Sequence, residues 1–271
     1  GSIWLITTPE GANLPSGAEV LEFPVLVRFD RDWFDFTQVQ AGGTDLRFSS
    51  GGHPLAYQIE KWDAAGGTAA VWVRIPKIRG NDRQEIKVYW GRADAAAESN
   101  GKAVFNESNG YLSVWHMGDA VTEDAGSVES ENVGTTPTAG MIGTARHFAG
   151  KQGIFGGEKI TNYPAGAGPH SSEMWLRAEQ SNGRALAWGN EHAQGKVVMH
   201  FQSPPHVKME CYFSGADVSS KGRMPMNEWI HVMHTYQKGD SRIYVNGVLS
   251  NVSQTPDAPL AIKSPARLFI G

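Results

Sequence analysis

Apolar and polar residues alternate with a period of two along most of this chain. In residues 54–63, Leu55, Tyr57 and Ile59 fall on one side, and Gln58 and Glu60 on the other. In residues 69–75, Val71, Val73 and Ile75 oppose Trp72 and Arg74, and in residues 85–89, Ile86 and Val88 oppose Lys87 and Tyr89. Further strands are predicted at residues 3–8, 23–29 (with Pro24 at the start) and 45–49, and Trp33, Phe34 and Phe36 read as a core plug. No long segment has the 3.6-residue period of a helix; the nearest is a short turn at 93–98. Closely spaced strands separated by Gly-rich turns predict an all-β sandwich.

The second half repeats the pattern. Residues 111–116 alternate as an opening strand, and residues 120–140, rich in Glu, Asp, Ser, Thr and Gly, read as a long surface loop. Met174, Leu176 and Ala178 face away from Trp175 and Arg177. In residues 196–202, Val197, Met199 and Phe201 point one way, and Lys196, Val198, His200 and Gln202 the other. Residues 207–213 set Val207, Met209, Cys211 and Phe213 against Lys208, Glu210 and Tyr212. Strands at 143–150, 184–190, 229–236 and 241–246 complete the set, and Asn246-Gly247 is the strongest hairpin signal. The fold class is therefore all-β, two tandem β-sandwich domains, with boundaries at 1–105 and 106–271.

Composition narrows the function. The 271 residues suffice for two ordinary domains, and a net charge of −4 argues against nucleic acid as a partner. The lone Cys211 allows no intrachain disulfide, and no apolar run reaches the length of a transmembrane segment.

The outward residues of the second half suit a sugar. Trp188, His200, Gln202, Tyr212 and Arg242 combine rings for stacking on a pyranose with amide, imidazole and guanidinium groups for its hydroxyls. Lys196, Lys208 and Glu210 share that character, and the cations also suit an anionic polysaccharide. Asn190, His192 and His206 lie in loops read as flanking the face. His192, His200, His206 and His231 match no compact zinc spacing. Asp119, Glu123 and Asp124 keep calcium open as a cofactor, but no Asp-x-Asp-x-Asp-Gly loop supports it. In the first half, Asp45 and Asp63 read as turn caps and Glu60 as a solvated face. The Trp115-His116-x-x-Asp119 cluster reads as the packed end of a strand.

The series FPVLVRFD, FDF, GTDLRFSS, PLAYQIEKWD, AAVWVRIP and EIKVYWG resembles the bacterial domain of unknown function DUF2341, over about residues 3–105. The series YLSVWH, GTARHFAG, EMWLR, AWGN, NEWIHV and RIYVNG resembles a laminin-G-like (concanavalin A-like) jelly roll, over about residues 110–271. The first resemblance implies an accessory sandwich in large secreted or envelope proteins and names no catalytic residue. The second implies glycan or protein binding, sometimes with calcium, and an extracytoplasmic location (secreted, periplasmic or cell surface). It also implies a further strand beyond Gly271, so the jelly roll is read as truncated, with a continuation of the chain or a separate polypeptide completing it. Jelly-roll glycoside hydrolases carry Glu-x-Asp-x-x-Glu; here Glu173 and Glu179 stand six apart without the middle acid. The expectation is non-catalytic binding of an extracellular polysaccharide or glycan. A protein-interaction module of a bacterial envelope assembly is the alternative. A polysaccharide-degrading enzyme using His200, Tyr212 and Glu210 is the third reading.

Overall fold

The structure is a computed structural model that describes residues 1–126, 128–202, 206–210 and 215–271. It is almost all β, and contacts divide it into two compact units. The first comprises residues 1–118, 122–127 and 142–144; the second comprises 119–121, 128–141 and 145–271.

In the first unit, β1 (Ser2–Ile6), β7 (Arg83–Tyr89), β3 (Arg47–Ser50) and β4 (His53–Pro54) form one sheet in the order β1-β7-β3-β4. β2 (Glu19–Asp30), β6 (Thr68–Arg79) and β5 (Tyr57–Asp63) form the other, in the order β2-β6-β5. Their apolar faces share one core that includes Val71, Val73, Ile75, Ile86, Val88, Phe29, Phe34 and Phe48. Pro24 lies inside β2 rather than at its start, and it is tolerated because β2 is an edge strand. Phe34 fills the core as expected, whereas Trp33 stays 53% exposed. Asp45 is buried and staples two loops by accepting from Gln40 N–H (2.8 Å) and Gly91 N–H (2.6 Å). Asp63 caps its turn through Gly66 N–H. The helical turn falls at α1 (Gly101–Val104) instead of 93–98.

The expected strand at 111–116 does not form. All six residues are partly buried, so neither side of the alternation is a solvent face. Val114 N–H is taken by the Glu123 carboxylate and Val114 C=O by Asp124 N–H, which removes it from any ladder. Tyr111 and Val114 pack instead on a small core of Val104, Phe105 and Ala125, with Trp72 of β6. The acidic loop at 120–140 contains two short strands, β8 (Glu131–Val133) and β9 (Thr136–Ala139).

β9 pairs with β10 (Thr144–His147) in a separate ribbon. The remaining strands are β11 (Gly153–Ile160), β12 (His170–Arg177), β13 (Arg184–Gly189), β14 (Lys196–Gln202), β15 (His206–Glu210), β16 (Val218–Ser219), β17 (Trp229–Gln237), β18 (Asp240–Val245), β19 (Val248–Gln254) and β20 (Ala266–Ile270). They build a seven-stranded sheet, β16-β15-β14-β13-β20-β11-β8, and a four-stranded sheet, β12-β17-β18-β19. The sheets meet through inward rings: His170 on β12 lies 4.8 Å edge-on from Trp188 on β13 and stacks on Tyr236 at 5.1 Å. β20 occupies the middle of the larger sheet between β13 and β11.

Candidate functional site

The predicted site residues separate into four places. Register puts Trp188 opposite Val197 and Leu268, both inward residues, so its ring is core: it is 5% exposed and meets Tyr163 and His170 edge-on. The expectation that Trp188 is an exposed platform is therefore corrected. His200, Gln202 and His206 do come together on the outer face of β14 and β15, where Gln202 pairs with His206 and His200 with Lys208. His206 Nε2–H donates to Gln202 Oε1 (2.7 Å), and the Gln202 amide points back to His200 Nε2 (3.4 Å). Lys196 and Lys208 on the same face pair with Glu191 and Asp217. Tyr212 lies outside the described residues.

Asn190 and His192 sit in the β13–β14 hairpin, and His206 opens β15. These are opposite ends of β14, about 20 Å apart for six residue steps. Asn190 ties the hairpin to the loop before β20: its Oδ1 accepts from Lys263 N–H (2.7 Å) and its amide donates to Pro265 C=O (2.8 Å). His192 Nδ1–H donates to Ala193 C=O (2.8 Å), and its ring packs where a Cβ on Gly195 would lie 2.5 Å from Nε2. Both residues shape the loop. Arg242 belongs to the other sheet, where its guanidinium grips Asp240 through Nε–Oδ1 (2.8 Å) and Nη2–Oδ2 (2.9 Å). That fork holds the Asp240 carboxyl below the usual range.

The four-stranded sheet presents a face that the sequence reading did not single out. Successive rows across it carry Arg177 beside Trp229, Trp175 beside His231, Glu173 beside Met233 and Tyr244, and Thr235 beside Arg242. Trp175 is 40% exposed, and its ring lies 5.3 Å from the His231 imidazole. Glu173 approaches His231 Nε2 at 3.4 Å, and Arg177 lies over the Trp229 ring at 5.9 Å. An aromatic platform is thus ringed by hydrogen-bonding groups, with β12 and β19 at the sheet edges. The signal was present in β12, whose alternation sends Trp175 and Arg177 outward. Glu179 is held by Arg177 (2.9 Å), which keeps its carboxyl below the usual range, while Glu173 faces His231.

Behind this face, burial pushes the imidazole of His170 down to about 4 and that of His234 down to about 3. His170 Nδ1–H donates to Gly168 C=O (3.0 Å), and His234 Nε2 meets Ser241 Oγ (2.8 Å). The second nitrogen of each ring is buried without a partner. Both rings are neutral core residues at neutral pH.

In the first unit, Glu60 is buried rather than solvated, with a side chain 6% exposed. It accepts from Trp72 Nε1–H and lies 3.1 Å from His116 Nδ1. His116 Nε2 faces Gln58 Oε1 (3.0 Å), and Gln58 donates to Asp124 (3.1 Å). Glu123 accepts the N–H groups of Val114, Ala125 and Gly126. Among the described residues no group of three or more His, Cys, Asp or Glu is arranged to hold a metal ion, and no helix is long and apolar enough to cross a membrane.

Comparison with known proteins matches two families in sequence order. Residues 42–113 match the domain of unknown function DUF2341, and residues 156–271 match the concanavalin A-like lectin/glucanases superfamily. The chain therefore carries a DUF2341 domain followed by a concanavalin A-like domain. No curated protein matches it by sequence. Similar solved structures include domain 4 of AbnA, a GH43 extracellular arabinanase from Geobacillus stearothermophilus, in complex with arabinotriose; it is 16% identical over 52% of this chain and 72% of that one, with a TM-score of 0.40. The carbohydrate binding module CBM66 from Bacillus subtilis is 12% identical over 53% of this chain and 88% of that one, with a TM-score of 0.33.

Proposed function

We propose that the concanavalin A-like unit binds an extracellular polysaccharide or glycan without cleaving it, on the open face of the four-stranded sheet. The observation that carries this reading is Trp175, a partly exposed indole on the sheet surface, bordered by His231 and Glu173. A pyranose laid on that ring buries apolar C–H groups, while the imidazole and carboxylate take its hydroxyls. The engagement of Glu173 with His231 and of Glu179 with Arg177 argues against a general acid and nucleophile, which require two carboxyl groups disposed about one bond.

The test is affinity electrophoresis of the whole protein through gels containing algal, plant and host polysaccharides. A tryptophan side chain offers about 200 Å² for contact, so the exposed part of Trp175 supplies roughly 80 Å². At about 25 cal/mol per Å² this is about 2 kcal/mol, or thirtyfold in affinity. Trp175→Ala is expected to lose that much on at least one polymer that retards the wild type. No retardation by any polymer, or equal retardation of the variant, refutes the proposal. Exposed Val248, Leu249 and Val252 on the edge strand β19 favour the protein-binding alternative, which predicts capture of an envelope partner that Val252→Asp abolishes.

A further inference from the structure

A second cleft, in the DUF2341 unit, has the same kind of chemistry on different elements. One wall is the loop after β2, residues 31–37; the other is the β5–β6 hairpin at Ala64, Ala65 and Gly67. The cleft is a shallow, open depression of about 480 Å³. Trp33 borders it and is 53% exposed, although the core lies one residue away at Phe34.

The indole is fixed in place. It stacks on Phe29 with centroids 5.1 Å apart and planes 23° apart, and it meets Phe34 edge-on at 5.9 Å. Its backbone is held as firmly: Trp33 N–H and Phe34 N–H both donate to Asp30 C=O, and Asp32 N–H donates to Asp30 Oδ1. One face is therefore occupied by Phe29, and the exposed area belongs to a ring that cannot fold away. Folding gains little from an indole in that position, whereas a ligand meets a pre-ordered platform.

The cleft also carries directed polar groups. Arg31 anchors the hairpin wall, with its N–H to Gly67 C=O (3.0 Å) and Nη2 to Ala65 C=O (3.1 Å). Its guanidinium crosses Gly67, whose φ of +70° favours glycine there. Asp35 is oriented by Thr37 N–H and hydroxyl on Oδ1 and by Gln38 on Oδ2. Asp32 is exposed, and its carboxylate has no partner among the described residues. Two carboxylates against one guanidinium leave the cleft net acidic.

We propose that this cleft is a second sugar-binding site, taking a neutral pyranose or furanose residue of a polysaccharide stacked on Trp33. Its hydroxyls donate to Asp32 and Asp35 and accept from Arg31. The two carboxylates disfavour uronic acids by like-charge repulsion. This inference does not rest on the reading of the other unit.

The experiment uses the full chain and affinity electrophoresis with xylan, arabinan, galactomannan and mixed-linkage glucan as neutral probes. Polygalacturonate and alginate serve as anionic controls. In a Trp175→Ala background, at least one neutral polymer is expected to retard the protein. Adding Trp33→Ala weakens that retardation at least tenfold, Asp32→Asn weakens it severalfold, and Trp33→Phe keeps most of it. Because the other half of Trp33 packs on Phe29 and Phe34, Trp33→Ala is expected to lower the unfolding temperature by roughly ten degrees and Asp32→Asn hardly at all; if Trp33→Ala does unfold, Asp32→Asn on the surface carries the test. The proposal is overturned if no neutral polymer binds the Trp175→Ala protein, if Trp33→Ala and Asp32→Asn leave binding unchanged, or if the uronate polymers bind as well as the neutral ones. Failure of the Trp175 site looks different: Trp175→Ala would then leave all retardation intact.

Discussion

Lowering the pH should unlock the second unit through two histidines that touch no ligand. Burial holds His170 at about 4 and His234 at about 3 in the folded chain, against about 6.5 when unfolded. Their folded values are depressed, so the unfolded state binds protons first and stability falls as pH drops below about 6.5. Both folded values lie below 5, so the loss between pH 7.5 and 5 depends almost entirely on the unfolded value. Each ring then contributes about 2 kcal/mol, and the pair about 4 kcal/mol, a large part of a domain's stability. Their 5.9 Å separation makes the second protonation in the folded state harder still. Glu179, Glu191 and Asp240 have carboxyls held below their ordinary range by Arg177, Lys196 and Arg242, so they titrate below this window. Urea unfolding with pulsed deuterium labelling, read in peptides of β12 and β17, isolates this unit from the other. The wild type should lose about 4 kcal/mol from pH 7.5 to 5, and His170→Phe about half of that. The Phe ring keeps the stacking place on Tyr236 and the edge contact with Trp188 while removing the titrating atoms. A flat profile in the wild type, or an unchanged slope in His170→Phe, refutes the argument.

Two further outcomes test the packing of each unit. Tyr236→Phe removes the hydroxyl that accepts Leu260 N–H (2.8 Å) in the core and should cost about 1–3 kcal/mol in urea unfolding of the second unit, because the N–H is left buried and unpaired. Glu60→Ala removes the shared acceptor of Trp72 and His116 and should raise deuterium exchange in residues 111–126 while β6 and β7 stay protected.

The alternating strands were legible because alternation has consequences on both faces at once. In β14, Val197, Met199 and Phe201 went inward and His200 and Gln202 outward, as read from the sequence. Trp188 was misplaced because β13 has a register shift between Arg184 and Leu186 and ends in glycine, so its short run gave no period to assign faces. The segment 111–116 alternates between two sets that both contain apolar residues, so its pattern could not say that neither face would be open. The alternation set Trp175 and Arg177 opposite Met174, Leu176 and Ala178 without saying which side is open, and the His231 that gives Trp175 a polar neighbour comes from β17, so only the register brings them together. The Trp33 platform was read as core because three aromatics in four residues look alike in sequence. Which of them turns outward is decided by the hydrogen bonds of the turn at Asp30.

His116 and Trp175 show how a cluster of functional residue types becomes structure in one place and a candidate site in another. His116 stands between Glu60 and Gln58, near Asp124, a constellation that suggests proton transfer by composition alone. Yet its side chain is only 13% exposed, and both ring nitrogens face oxygen atoms. The neighbouring carboxylate of Glu123 is spent on three backbone N–H groups. A substrate atom would have to displace these bonds, and breaking a buried polar network by removing one partner costs several kcal/mol. The cluster therefore fastens the irregular segment 111–126 to β5 and β6, where no strand ladder can do so. Trp175 differs: its ring is 40% exposed, and beside it the Glu173 side chain is 53% exposed and that of His231 23%. Accessible surface, and not the identity of the residues, is what separates the proposed glycan platform from the clasp.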